Sequence, residues 1–334
     1  MNSTEHQLTF PRFEPGPLVD ALVKLESLYV ETRFHREAQE TLRMLFRAAS
    51  IPKMNRLTLA IIGPTGSGKS TALKHTVAWL RSSNGLPPEA PDPVSMTALS
   101  ASTTPKEVLA KLLLDGGDPL SASSAQHKLE RRLATLGPKF KLLGLALDEL
   151  HHGVENQPPR DVVRLASTLK NIVNHIPRPI IIMGVNSLDP FLDGHKELRM
   201  RFSRRVYLSD PIIQRDDDIR DIRRLLAEMA KVVPTANDCQ LDVPEMLVRL
   251  LVASESRFGA LVDMVKTACM FGADAESPVL RREDLSKAFR LSTNLESRSQ
   301  GEDPFVMPYP AALQLAKQRG VPAIQSETGR ARQA

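Results

Sequence analysis

The chain has 334 residues, 42% apolar and 25% charged, which is a globular composition with room for a sizeable core in one large domain and a smaller one. No apolar run approaches the roughly 20 residues that cross a bilayer, and Met1 to His6 lack the layout of a secretory signal; a cytoplasmic protein without a membrane partner is expected. The net charge of +5 permits a phosphate-backbone partner but does not demand one, and Cys239 and Cys269, lacking metal-ligand spacing, are expected as reduced, partly buried thiols.

In chain order, residues 18–50 read as two helices. Leu18, Leu22, Leu25, Leu28 and Tyr29 recur at helical spacing, as do Ala38, Leu42, Leu45 and Phe46. After Pro52, the run Leu57 to Ile62 reads as a buried strand. It leads directly into Gly63-Pro64-Thr65-Gly66-Ser67-Gly68-Lys69-Ser70, which completes the pattern G-x-x-x-x-G-K-[ST], and a helix is predicted from Thr71 to Leu80. A proline-rich stretch, 86–93, precedes a second strand over Pro93 to Leu99. Helices follow at Pro105 to Leu114 and Ala125 to Leu136. The run Leu142 to Leu147 is a third strand that ends in Asp148-Glu149. A helix over Val162 to Ile176, a fourth strand over Pro179 to Val185 and a short fifth over Arg205 to Leu208 complete an α/β pattern. From residue 211 the strand signal stops, and helical patterns occupy 216–233, 243–254, 259–271 and 282–291. Beyond Leu291 the chain turns polar and proline-rich, with 329–334 expected to be disordered.

The chemistry of two of these features follows from their residue types. Glycines let backbone N–H groups turn inward, and a helix N-terminus adds partial positive charge, so 63–70 is built for a triphosphate. Lys69 would reach the β- and γ-phosphates, and Ser70 would bind Mg²⁺. Asp148 and Glu149 sit where open α/β sheets place their ligands, at a strand's C-terminal end. Asp148 would hold the metal shell and Glu149 would polarise an attacking water. ATP and Mg²⁺ are the expected cofactors, and hydrolysis the expected reaction. Adjacent His151 and His152 are expected to point different ways and not to form a metal site. The mixed charges from Arg215 to Arg224 read as a solvated helix.

The order of P-loop, inserted strand, Asp-Glu strand, polar strand end, arginine-rich segment and helical lid resembles an AAA+ ATPase. Within that superfamily the chain is similar to the TniB/TnsC transposition ATPases, and more distantly to MuB. The likeness runs over about residues 25–292 and rests on Arg33-Phe34-His35-Arg36, Asp148 to His152, Ile181 to Asn186 and the tail segment Asp303-Pro304-Phe305. It implies a three-layer P-loop AAA+ domain with a central parallel sheet, followed by a small α-helical lid. The expected boundaries are an N-terminal helical extension over 1–50, the ATPase domain over 51–210, the lid over 211–292 and an extended, partly disordered tail over 293–334.

Further roles come only from this resemblance. Asn186, with Ser187 in reserve, matches the sensor-1 position. Arg201, with Arg204 and Arg205 as rivals, matches the arginine that reaches a neighbouring subunit's nucleotide. Arg257 lies near the sensor-2 position, although before the glycine rather than after it. Thr103, Thr104 and Lys106, followed by Lys128, Arg131 and Arg132, match positions that meet duplex DNA. The implied protein forms an ATP-dependent homo-oligomer, ring or helical filament, on duplex DNA with weak sequence preference. It directs a transposase, together with a target-selection protein, and disassembles on hydrolysis. Phe305 to Pro310 reads as a handle for such a partner, or as a segment folded back on its own domain. Two alternatives stay open: another DNA-linked AAA+ ATPase of the initiator or clamp-loader kind, for which a winged-helix-sized segment would be expected after residue 292, and a nucleotide-gated scaffold whose hydrolysis is incidental.

Overall fold

The computed structural model describes residues 13–54, 57–100, 103–115, 118, 125–139, 142–155, 157–209, 216–273, 278–292 and 303–319. The first two helices are α1 (Pro17–Ser27) and α2 (Arg33–Ala48). They do not form one extension: the chain divides into a unit of residues 32–209 and a unit of 1–31 with 210–334, so α1 and α2 fall on opposite sides of the division. Their apolar faces decide this. Leu18, Ala21 and Leu25 of α1 are buried among lid residues, whereas Ala38, Leu42, Leu45 and Phe46 of α2 are buried against the sheet.

The α/β unit continues with β1 (Thr58–Ile62), α3 (Lys69–Ser83), β2 (Val94–Ala98), α4 (Pro105–Asp115), α5 (Gln126–Lys139) and β3 (Gly144–Asp148). A 3₁₀ turn at Leu150–Gly153 precedes α6 (Pro159–His175), β4 (Ile180–Gly184), α7 (Leu188–Gly194), α8 (Lys196–Arg201) and β5 (Arg205–Tyr207). The five strands form a parallel sheet in the order β2-β3-β4-β1-β5. Successive strand residues face opposite sides. Leu59 and Ile61 of β1 join Ala146, Ile181, Met183 and Val206 on the side covered by α2 and α3. Ala60 and Ile62 join Leu145, Leu147, Ile180 and Ile182 on the other side, against Leu109, Leu112, Leu169, Ile172 and Phe202. Both faces are covered, which is why β1, β3 and β4 read as unbroken apolar runs rather than alternating ones. Each fully buried Leu or Ile contributes about 1.5–3 kcal/mol. The result is the expected three-layer parallel architecture, in a unit of residues 32–209 that includes α2.

The second unit holds α1 with α9 (Asp216–Val232), α10 (Pro244–Ala253), α11 (Phe258–Ala273), α12 (Arg282–Leu291) and α13 (Tyr309–Gln318). Cys239 and Cys269 are fully buried free thiols here, and burial pushes both up to about 12. The described part of the tail is not extended. Phe305 is 2% exposed in the same core as α1 and α10–α12, and α13 buries Ala312, Leu315 and Ala316. Arg249, itself 1% exposed, donates to the carbonyls of Pro304 and Met307 and to Glu245, which also pairs with Arg282. Asp303 accepts from Ser286 Oγ at 2.6 Å. Phe305 is therefore core rather than a handle. The stretch 329–334 lies outside the described residues.

Candidate nucleotide site and its surroundings

The loop after β1 is shaped by close approaches that only glycine allows. A Cβ on Gly63 would lie 2.2 Å from the Leu208 carbonyl, and Gly63 N–H donates to Gly184 O at 3.1 Å, tying the loop's start to the end of β4. Gly68 has φ +85°, the left-handed region, and α3 begins at the next residue. Lys69, 4% exposed, turns its ammonium back across the loop to donate to Gly63 O at 2.8 Å and Pro64 O at 2.9 Å. Among the described residues, the buried Ser67 hydroxyl has no hydrogen-bond partner. Thr65, Gly66 and Thr71 lie along the same loop and first helical turn.

The Asp-Glu pair meets this loop. Asp148 ends β3 and is 6% exposed; its Oδ2 accepts from Ser70 Oγ at 2.5 Å, and its Oδ1 accepts from the Glu149 N–H at 2.8 Å. Glu149 departs from the strand with φ 55°, a left-handed conformation that costs a non-glycine residue on the order of 1–3 kcal/mol and concentrates at functional sites. Its carboxylate lies 3.4 Å from His151 Nδ1 and 3.9 Å from His152 Nε2. The two rings sit 4.2 Å apart rather than pointing different ways, because the tight 3₁₀ turn carries both back over Glu149. One ligand atom from each of these three residues falls within 4.8 Å of the others. Burial holds His151 below its ordinary pKa, with the Glu149 carboxylate opposing that shift.

The remaining expected residues are distributed more unevenly. Asn186 is exposed just past β4, on the sheet edge where β1 and β3 also end; Ser187 donates to Glu155 Oε1 at 2.5 Å. Arg201 is half-buried and braced inside its own unit, donating to Asn174 Oδ1 at 2.8 Å and to Glu197 O at 3.0 Å. Arg205 is held by Asp189 and Asp193, each at 2.7 Å, and Arg204 is exposed. Arg257 belongs to the other unit, ahead of α11, and pairs with Glu255 at 2.6 Å. Thr103 and Thr104 have local work. Thr103 Oγ1 accepts from Ser100 N–H, while Thr104 and Glu107 bond reciprocally as the capping box that starts α4. Arg132 is locked bidentately onto buried Asp118, with contacts of 2.8 and 2.5 Å. Lys106, Lys128 and Arg131 are exposed on α4 and α5. His35 belongs to the segment Arg33 to Arg36, and its Nε2 lies 3.0 Å from Ser67 O. Nothing local signals that contact, because the partners are 32 residues apart.

Residues 27–192 match a protein family described as an AAA domain. The α/β unit has the AAA+ fold. Solved structures similar to the chain include the ORC2 protein of Aeropyrum pernix in ADPNP–ADP complexes, at 14% identity and TM-score 0.57, over 83% of this chain and 73% of that one. The ORC1 protein of the same organism, solved in complex with DNA, matches at 16% identity and TM-score 0.57, over 80% and 67% of the two chains. Cdc6p of Pyrobaculum aerophilum matches at 12% identity and TM-score 0.60, over 84% and 73%. Curated protein sequences gave no match. At these identities the likeness is one of fold, and with the AAA domain match it supports an AAA+ ATPase. No helix among the described residues is long and apolar enough to cross a membrane.

Proposed function

We propose that this chain is a Mg²⁺-dependent ATPase that oligomerises on duplex DNA with ATP bound, directs a transposase to the marked target and disassembles on hydrolysis. The observation that carries the catalytic part is the Ser70–Asp148 contact of 2.5 Å, which brings the P-loop hydroxyl and the buried β3 carboxylate to one point. Hydroxyl and carboxylate oxygens are the hard donors Mg²⁺ takes, and it keeps waters and phosphate oxygens for its other positions, so the residues present fit that ion. When bound there, it would supply charge neutralisation to the phosphate oxygens. Loop amides and Lys69 hold the phosphates, Glu149 polarises the attacking water, Asn186 orients it, and Arg201 of a second copy completes the site.

The DNA part is supported by exposed Lys106, Lys128 and Arg131, by the net charge of +5, and by a fold shared with a protein solved on DNA. Thr103, Thr104 and Arg132 contribute indirectly on this reading, by shaping the segment that carries the three cations. The transposition part rests on the motif likeness at 33–36, 148–152, 181–186 and 303–305. A second reading, an initiator-like DNA-linked ATPase, is favoured by the resemblance to the ORC and Cdc6 structures. Electron microscopy of the purified chain with a slowly hydrolysed ATP analogue, with and without duplex DNA, tests the assembly. Regular oligomers requiring both ligands, and capturing purified transposase, are expected. Oligomers that ignore transposase would favour the initiator-like reading, and monomers under every condition would refute assembly.

A further inference from the structure

We infer that His35 is a positioning residue of the phosphate loop, fixing the Ser67–Gly68 peptide so that the Gly68 N–H faces the loop's interior. The inference rests on the nucleotide-site reading above and deepens it. His35 sits in the first turn of α2, whose N-cap, Thr32, accepts from His35 N–H at 3.3 Å. The ring spans two partners: Nδ1 is 2.8 Å from Thr32 Oγ1, and Nε2 is 3.0 Å from Ser67 O. A carbonyl oxygen can only accept, so Nε2 carries a proton, and Thr32 fixes the ring plane from the other side.

The consequence for the loop follows from peptide geometry. The Ser67–Gly68 bond is trans, and in a trans unit the C=O and N–H point in opposite directions. Drawing Ser67 O outward to the imidazole therefore turns the Gly68 N–H the other way, toward the concavity that Lys69 crosses on its way to Gly63 O and Pro64 O. Gly68 and the ring are matched in shape as well: a Cβ at 68 would lie 2.1 Å from His35 Nε2. Gly68 O meanwhile accepts from Ala72 N–H at 2.9 Å, the first turn of α3. Outward pull by His35 and inward bonding by Lys69 together hold the loop open, with its amide preset for a polyphosphate. Preset amides reduce the ordering cost of binding. A ring that merely filled space beside Gly68 would need no proton donor at Nε2.

The test is a calorimetric titration of the full chain with Mg-ATP and Mg-ADP, comparing wild type, Lys69→Ala, His35→Phe and His35→Gln. Phenylalanine keeps the ring and removes the donor; glutamine restores a donor on a different shape. Loss of one such hydrogen bond predicts roughly five- to tenfold weaker binding of both nucleotides to His35→Phe, with most of the loss recovered in His35→Gln. Thr32→Val, which keeps the ring and removes its anchor, should lie between them and substitutes for His35→Phe if that variant fails to fold. Wild-type affinity in His35→Phe, or equal losses in the Phe and Gln variants, would overturn the role of His35 while leaving the site intact. A wild type that holds neither nucleotide, unchanged by Lys69→Ala, would overturn the nucleotide site itself.

Discussion

Replacing Phe305 by alanine should destabilise the helical unit far more than any tail substitution in a flexible handle could. The ring is 2% exposed and meets Phe289 edge-on, with centroids 6.4 Å apart at 70°. It shares a core with Leu315 and Ala316 of α13. Transfer of a buried Phe side chain is worth about 1.5–3 kcal/mol, and the cavity left behind raises the loss to about 3–5 kcal/mol. At roughly 2–4 °C per kcal/mol for a domain of this general size, the unit's melting temperature should fall by about 6–20 °C. Val306, the next residue, is 65% exposed, and its replacement by alanine should stay within about 0.5 kcal/mol. Scanning calorimetry and urea unfolding of both variants make the comparison. Equal melting of Phe305→Ala and Val306→Ala, near the wild-type value, would refute the packing of 303–307.

Glu149→Gln should retain ATP binding and slow phosphate release by about 10²–10⁴-fold; undiminished turnover would remove Glu149 from the chemistry. Because burial lowers the His151 pKa in the folded state, the unfolded chain binds the extra proton more readily; stability should be full above the ordinary value of 6.5 and fall as pH drops below it toward the depressed folded value. His151→Gln should flatten that slope in urea melts taken through this range, and an unchanged slope would refute the assignment. Reversing Lys128 and Arg131 to glutamate should weaken DNA binding across all sequences and reduce its salt dependence. Thr104→Ala should instead cost about 0.5–2 kcal/mol of stability through the lost α4 cap, read by thermal melting, without changing the salt slope.

The sheet was legible because its strands announce themselves by composition. Both faces are buried, so β1, β3 and β4 are apolar except for Thr58 at the start of β1 and Asp148 at the end of β3, and the phosphate loop and the acidic pair follow directly from the ends of β1 and β3. What escaped was set by contacts distant in sequence. Nothing in residues 18–50 says that Leu18 and Leu25 pack with Met264 and Val265 while Leu42 and Leu45 pack with Leu73 and Ile181. The tail reads as polar and proline-rich, and its sequence does not show that a buried arginine on a different helix, Arg249, donates to the carbonyls of Pro304 and Met307. Thr103 and Thr104 show the opposite failure. Hydroxyls suit phosphate oxygens, but the same hydroxyls also suit a helix N-terminus, and Thr104-x-x-Glu107 is a capping-box spacing that could have been read locally.

The arginines near residue 200 illustrate how the structure sorts residues that a sequence leaves equivalent. For an arginine to complete the site of a second copy, its guanidinium must leave whatever it holds at home. Arg205 would abandon two carboxylates at 2.7 Å, Asp189 and Asp193, and those contacts push its pKa upward. Arg201 holds less. Its bonds are to an amide oxygen and a backbone carbonyl, and its carboxylate neighbour Glu197, at 3.9 Å, is already engaged by Lys170 at 2.6 Å. Neutral acceptors give up a cation more cheaply than paired carboxylates do. The backbone at Arg201 is fixed independently, since its carbonyl accepts from Thr58 Oγ1 at the start of β1. A side chain held by neutral acceptors on a firmly held backbone suits a group that swings to a partner without disturbing its own helix. This ranks Arg201 above Arg205 for that role, with exposed Arg204 as the other candidate.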